Sequence, residues 1–422
     1  MSLTLRRVVI FVTIFISVSV GAYALIKFAQ GYRPDFTKGT LQATGLLVAK
    51  SNPDAAQLLI NGKLKTATNT TVNLDPGEYD IEIHKDGFFP WKKHLQIKQE
   101  IVTQVTADLF AAYPDLKVLT FTGAQEPTLS PDMQRVAYKV ATASATNRGL
   151  WVLDLGDRPL GFNRDPRQIV QSTPHYDFSN AILEWSPDSK QLIVLLNKET
   201  YLLDPGRLNP AASLVDVTST LNTNRIRWLG DEKSKQDAQI TRLPNQMQII
   251  LTESAKDIRF SPDDIKVMYT ATQSAQIPDD LLPQLPGAST QKQARNLEPN
   301  KIYVYDLKED RNFYITDAPD VPAPSPTPTP KTQNLKPKTS PSPTITPHLA
   351  KTITWFPTSN HIMIVEPDKI SLIEYDGNNI TDVYTGPFVN TFAYPFPDAN
   401  RIITLTSLGK DTPPNLYAIS LR

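Results

Sequence analysis

Four aspartates stand in a repeated setting. Asp132, Asp188, Asp263 and Asp398 each follow a proline (Pro131, Pro187, Pro262, Pro397), and each precedes a run of strand-forming residues. Carboxylates repeated in this way could ring a cation. They could also supply the acid pair of a glycosidase, which needs two carboxyl groups roughly 5–10 Å apart in one cleft. Recurrence at one place in every repeat instead assigns them to a turn, where proline presets φ and aspartate hydrogen-bonds the backbone beyond it. A second candidate is the aromatic cluster Phe88, Phe89 and Trp91 around Pro90, a platform of the kind that holds sugars or peptides. The same rings would serve as well in a packed core or against the next domain. The five histidines, at 84, 94, 175, 348 and 361, have no metal-ligand spacing, and His84 and His94 straddle a turn at surface positions.

Other chemistry is missing from the chain. The stretch Gly287-Ala288-Ser289-Thr290-Gln291 lacks the last glycine of a nucleophile elbow. The sequence contains no phosphate-binding glycine loop, no dinucleotide fingerprint and no H-E-x-x-H zinc motif. Cysteine is absent, which removes disulfides, thiolate metal sites and thiol nucleophiles. No cofactor or metal site and no catalytic residue is assigned, so the expectation is a protein that is not an enzyme. Lysine and arginine number 43, as do aspartate and glutamate, and the chain is formally neutral. Nucleic-acid binding through phosphates would call for a basic excess or a basic face.

The 422 residues allow about three units. Residues 1–7 form a short tail containing Arg6 and Arg7, expected to stay in the cytoplasm. The segment 8–28 is uncharged from Val8 to Ile26. As a helix that stretch is about 28 Å long, close to the thickness of a bilayer core. It reads as a signal-anchor transmembrane helix, with a cleaved signal peptide as the alternative because Ala22-Tyr23-Ala24 has the A-x-A form. Either route places the remaining chain outside the cytoplasm. The positive-inside count does not decide the orientation, since Lys27, Arg33 and Lys38 follow the span. The short leading segment and long trailing one do.

Residues 40–112 change to a period of two. Tyr79, Ile81 and Ile83 alternate with Asp80, Glu82 and His84, and Leu95 and Ile97 with Gln96 and Lys98. Asn61-Gly62 supplies the positive φ angles of a two-residue hairpin, while Asp75-Pro76-Gly77 and Asp86-Gly87 mark further corners. The pattern is that of a small β-sandwich. The run Gly45-Leu46-Leu47-Val48, Pro53-Asp54-Ala55-Ala56, Ile60-Asn61-Gly62, Leu74-Asp75-Pro76-Gly77-Glu78-Tyr79, Lys85-Asp86-Gly87-Phe88 and Trp91 resembles a PEGA domain, with Ala55 in place of the eponymous glycine. The resemblance implies an exposed β module of envelope and S-layer-type proteins, with no catalytic residues to carry over.

Residues 116–422 repeat one phrase. An apolar residue and Ser-Pro-Asp precede a strand at Leu129–Asp132, Trp185–Asp188 and Phe260–Asp263. Degenerate copies stand at Trp355-Phe356-Pro357-Thr358 and Phe396-Pro397-Asp398, with a weaker sixth at Trp228-Leu229-Gly230-Asp231. A second phrase closes several repeats: Leu150–Asp154, Tyr201–Asp204, Ile302–Asp306 and Leu372–Asp376. Paired phrases at a period of tens of residues mark a propeller or solenoid, and strand-rich composition selects the propeller. About 46 residues per repeat predict six blades, with five or seven as alternatives. Leu116–Thr122 is expected to add a strand to the last blade and close the ring. These phrases resemble the TolB-like, WD40-like (PD40) propellers of bacterial envelopes. The expected fold class is all-β: transmembrane helix, PEGA-like sandwich, then propeller.

Residues 318–348 interrupt the repeats with ten prolines among Ser, Thr and Lys, and read as a disordered or polyproline-II loop inside the propeller. The expected function is a membrane-anchored envelope protein whose propeller binds a protein or cell-wall polymer. The alternatives are an extracytoplasmic carboxylate-dependent hydrolase or lyase, and a structural surface-layer component.

Overall fold

The computed structural model describes residues 3–29, 32–35, 40–141, 144–156, 165–319, 351–389, 391–409 and 412–422. Almost all of the Pro-rich tract, residues 320–348, lies outside the described residues. The chain is mostly β and divides into two compact units. One comprises Met1–Ala112 with Leu282–Lys292, the other Tyr113–Leu281 with Gln293–Arg422.

The first unit opens with helix α1, Leu3–Ala29. Its apolar stretch Arg6–Phe28 spans 23 residues at mean hydropathy 2.4, and none of the stretch is buried. At 1.5 Å per residue it is about 35 Å long, enough to cross a membrane by length and composition, whether kept as an anchor or used as a signal sequence. A short hairpin, Tyr32–Asp35 with Thr40–Ala43, follows it.

Two sheets then share one core. The first orders Thr70–Leu74, Gly45–Asn52 and Val102–Asp108, the last two running parallel. The second orders Lys63–Ala67, Gln57–Ile60, Gly77–His84 and Trp91–Ile97, all antiparallel. Alternation sends Leu47, Ala49, Leu58, Ile81, Ile83 and Ile97 inward, each with at most 1 % of its surface exposed. Burying each of the larger aliphatic chains is worth about 1.5–3 kcal/mol. Asn61 and Gly62 take φ of 50° and 74° between paired Ile60 and Lys63, the two positive angles that hairpin turn demands. Gly45 has a different reason: a Cβ there would come 2.5 Å from the Lys98 carbonyl oxygen and 2.4 Å from Ile97 Cγ2. The segment Leu282–Lys292 caps backbone at the edge strand Trp91–Ile97. Thr290 Oγ1 accepts from the Gln96 amide (3.3 Å), and Gln291 Nε2 donates to the His94 carbonyl (2.7 Å).

The second unit contains five antiparallel sheets among the described residues, besides a two-stranded ribbon at Ala275–Gln276 and Asn296–Leu297. The first sheet is Gln125–Leu129, Arg135–Val140, Gly149–Asp154 and Arg167–Gln171. The second has three strands, Ile182–Trp185, Leu192–Leu196 and Glu199–Leu203. The third is Ala255–Phe260, Lys266–Ala271, Lys301–Asp306 and Arg311–Asp317, and the fourth Thr352–Trp355, His361–Val365, Lys369–Glu374 and Thr381–Thr385. The fifth joins Ala393–Pro395, Arg401–Thr406 and Asn415–Ser420 to Leu116–Val118, which pairs antiparallel with the strand ending at Ser420. Single apolar clusters unite first with second, first with fifth and third with fourth sheets. The outer strand of the three-stranded sheet carries only an isolated bridge, Tyr201 to Asp216, and is capped there. The Thr200 amide donates to Asp216 Oδ1 and Thr218 Oγ1, and its carbonyl accepts from the Val217 amide.

Two helices correct the expectation of an all-β second unit. Helix α2, Thr218–Ile240, contains the sixth phrase: Trp228-Leu229-Gly230-Asp231 is helical, with no turn and no following strand. Helix α3, Asn245–Ser254, starts after Pro244 and buries Met247, Ile250, Leu251 and Ser254, one stripe at helical spacing. That stripe packs on Val267, Tyr269, Tyr303 and Tyr305 of the third sheet.

Candidate functional site

The repeated turn is built identically wherever its Ser-Pro-Asp is complete. In those three copies the serine carbonyl accepts from the amide three residues on, at 2.8 Å from Met133, Ser189 and Asp264. The serine hydroxyls donate to Asp132, Asp188 and Asp263 at 2.5–2.7 Å. Each Oδ1 in turn accepts the amide two residues later, from Gln134, Lys190 and Ile265. Asp398 receives the Asn400 amide in the same way. The residue after the aspartate or its equivalent has positive φ in all five copies: Met133, Ser189, Asp264, Ser359 and Ala399. Asp188 is held below the usual carboxylate range, chiefly by the Ser186 hydroxyl and also by the Lys190 amide. For Asp263, burial raises the carboxyl, and Ser261, the Ile265 amide and Lys266 together bring it below the ordinary value.

The turns also join neighbouring sheets, which the sequence did not announce. The Asp132 amide donates to Ser189 Oγ (3.0 Å) and the Asp263 amide to Ser359 Oγ (3.1 Å); both serines are buried. Each acceptor belongs to the turn of the following sheet. Trp185 Nε1 reaches back to the Thr128 carbonyl (3.1 Å), as Trp355 Nε1 does to that of Arg259 (2.9 Å). The turn aspartates therefore belong to the joints between sheets. The same setting explains the aspartate that ends the second phrase. Arg135 lies opposite Asp154 and Lys266 opposite Asp306, and Arg135 Nε is 3.6 Å from Asp154.

Trp91 is 3 % exposed within the sandwich core, Phe88 packs half-buried against that core, and the Phe89 amide donates to the Phe110 carbonyl. Of the histidines beside it, His94 is exposed and His84 half-buried. His94 Nδ1 lies 2.8 Å from Asp80 and Nε2 3.5 Å from Glu78, and these carboxylates, Asp80 first, raise its pKa. Among the described residues no three His, Cys, Asp or Glu side chains are grouped to hold a metal.

The open space lies elsewhere. A cavity of about 390 Å³ is bordered by the first strands of the third, fourth and fifth sheets. Asp257 and Arg259 come from the third sheet's first strand, Thr352 and Thr354 from the fourth's, and Tyr394 from the fifth's. Asp257 has φ of 54° where the pairing slips between Lys256 and Arg259, a bulge that re-aims the strand. Arg259 Nη1 is held by the Ile353 carbonyl at 2.9 Å, and Lys351 Nζ by Thr316 Oγ1 at 2.7 Å. Burial raises the Tyr394 hydroxyl, opposed by the Arg259 charge, so it stays a neutral donor. Thr354 Oγ1 is buried with no hydrogen-bond partner among the described residues. The cavity thus offers a cationic pair, hydroxyls and a single bordering carboxylate. The fully buried Asp310 is already engaged, by Arg295 at 3.2 Å, the Tyr305 hydroxyl at 2.9 Å and the Leu281 amide at 2.8 Å.

No curated protein matches the sequence. Distant structural matches include a putative TolB from Agrobacterium tumefaciens, 12 % identical with TM-score 0.21 over 74 % of this chain and 79 % of that one. TolB from Acinetobacter baumannii matches at 13 % identity and TM-score 0.21, covering 94 % of this chain and 67 % of that one. An acylaminoacyl peptidase from Pyrococcus horikoshii matches at 11 % and 0.20, covering 73 % of this chain and 41 % of that one. Residues 44–111 match the family model for the PEGA domain, and the two-sheet sandwich built around Trp91, Ile81 and Ile83 is a PEGA domain.

Proposed function

We propose that the chain is a non-enzymatic, membrane-anchored protein of the cell envelope, with α1 as a single-pass signal anchor. Its second unit is displayed outside the cytoplasm to bind a protein or cell-wall polymer. The five sheets are the blades of one propeller, closed through Leu116–Val118, and α2 and α3 occupy the sequence interval of an expected sixth blade. The PEGA domain is an extracytoplasmic module of the same chain.

The observation that carries the binding reading is the cavity bordered by Arg259, Lys351, Thr354 and Tyr394. It presents donors of fixed geometry and one orphaned hydroxyl, which suits recognition of carbonyl or carboxylate groups. A hydrolase acting on glycosides through paired carboxylates would need a second acid beside Asp257. Membrane fractionation with protease shaving of intact cells tests the address, and a photo-crosslinking residue at Thr354 tests the site. The expected result is a membrane-bound protein shaved from outside that forms a discrete crosslinked adduct, lost in Arg259→Ala. A soluble, protease-protected protein, or one whose crosslinking is unchanged by Arg259→Ala, overturns the reading.

A further inference from the structure

A second hollow of the repeat unit, about 370 Å³, runs between α2 and the turns of the first and second sheets. Its walls are the rings of Trp185, Trp228, Pro131 and Pro187. Two donors border it without an acceptor among the described residues. Arg225 Nε is buried with no hydrogen-bond partner there, and the Trp228 indole N–H donates to no described residue. The Trp185 indole N–H is already committed to Thr128. Its acids are Glu232 and Glu184, the latter paired with Arg225, so the groove carries net negative charge.

A ligand for this groove must present flat apolar rings, carbonyl acceptors and positive charge, with few donors of its own. A sugar brings as many donors as acceptors, and an ordinary peptide brings an N–H for each carbonyl. Proline brings a carbonyl and no N–H, and a polyproline-II strand leaves every carbonyl unpaired along an apolar ridge that aromatic grooves recognise. The chain itself contains such a sequence: residues 321–338, VPAPSPTPTPKTQNLKPK, with Lys331, Lys336 and Lys338 and no acid.

We propose that the groove between α2 and the first two turns is a polyproline-binding site whose occupant is this chain's own segment 321–338. The segment is flanked by Pro319 and Lys351, both in the same unit as the groove. Occupation by a segment of the same chain is intramolecular, so modest intrinsic affinity suffices. This site is separate from the cavity beside Thr354 and stands or falls independently of the partner proposed there.

The test uses the full chain in detergent micelles, a variant of it lacking residues 321–349, and a fluorescein-labelled peptide of residues 321–338 read by anisotropy. The deletion variant is expected to bind the peptide saturably, and the parent chain about tenfold or more weakly because its tethered segment competes. In the deletion background Trp228→Ala and Arg225→Lys should each lower affinity, Trp228→Ala by about tenfold. Both leave the buried anchor Leu221 in place, and unchanged far-ultraviolet circular dichroism checks that α2 persists. A peptide with alanine for proline should not bind. The proposal is overturned by absence of binding to the deletion variant, or by equal affinity of parent and deletion chains. Affinity that survives Trp228→Ala, or saturable binding of a soluble cell-wall glycan fragment at Trp228 in place of the peptide, overturns it as well.

Discussion

The turns of the five sheets and the helical stretch at Trp228 begin from nearly the same phrase and end in different structures. Trp185-Ser186-Pro187-Asp188 becomes a tight turn with Ser189 at φ 59°, whereas Trp228-Leu229-Gly230-Asp231 lies in α2. The difference lies in one proline and in the residues after the aspartate. Proline at the second turn position presets φ and cannot continue a helix, while serine and aspartate close the loop with their side chains. After Asp188 come Leu192, Ile193 and Val194, strand formers that find a core; after Asp231 come Glu232, Lys233, Ser234 and Lys235, which favour helix and bury nothing. A repeat here is specified by the turn together with its strand, and an aromatic residue with an aspartate is not enough.

The sharpest way to break that contrast is at the two tryptophans. Trp355→Ala removes a ring that joins the third and fourth sheets and donates to Arg259, and is expected to cost about 3–5 kcal/mol in urea unfolding. Trp228→Ala should stay within about 1 kcal/mol. Equal costs would mean that α2 is as embedded as a sheet joint. Next in size is Gly230→Pro, which completes the phrase. In the middle of a helix proline is about 2 kcal/mol worse than glycine, so ellipticity at 222 nm should fall; unchanged helicity would contradict the assignment. Ser359→Ala deletes the buried hydroxyl that accepts from the Asp263 amide and should cost about 1 kcal/mol. The matching change Ala399→Ser, in the turn without that joint, is expected to do little. The smallest effect lies in the PEGA domain. His94 has a folded pKa above its ordinary 6.5, so its contribution is complete below about pH 6.5 and fades as pH rises through the higher folded value. In NMR titrations His94 should titrate above 6.5, and Asp80→Asn should return it toward that value.

Much of the architecture was legible because it rests on local chemistry. Asn61-Gly62 named its hairpin, alternation around Ile81 and Ile83 named the buried face, and the Ser-Pro-Asp copies marked where strands pair. The missed parts depend on tertiary contact. In sequence Trp91 reads as either a platform or a core ring, and only the packing places that ring in the core the two sheets share. The parallel pairing of Gly45–Asn52 with Val102–Asp108 brings together residues 56 positions apart, which no local signal reports. Helix α3 was recoverable, since Pro244 stands at its start and Met247, Ile250, Leu251 and Ser254 keep helical spacing. The Thr354 cavity had no signature, because its residues come from three sheets and only the fold assembles them.

The pairing of Leu116–Val118 with the strand ending at Ser420 sets an order of events. Thr120 Oγ1 donates to Asn415 Oδ1 and accepts from the Leu416 amide, contacts between residues about 300 positions apart. Closing a loop of that size costs about 5 kcal/mol of chain entropy before any of these bonds form. A nascent polypeptide emerging amino-terminus first must therefore keep Leu116–Val118 waiting until Asn415–Ser420 has been made. Folding of this unit then depends on whatever shields that waiting edge.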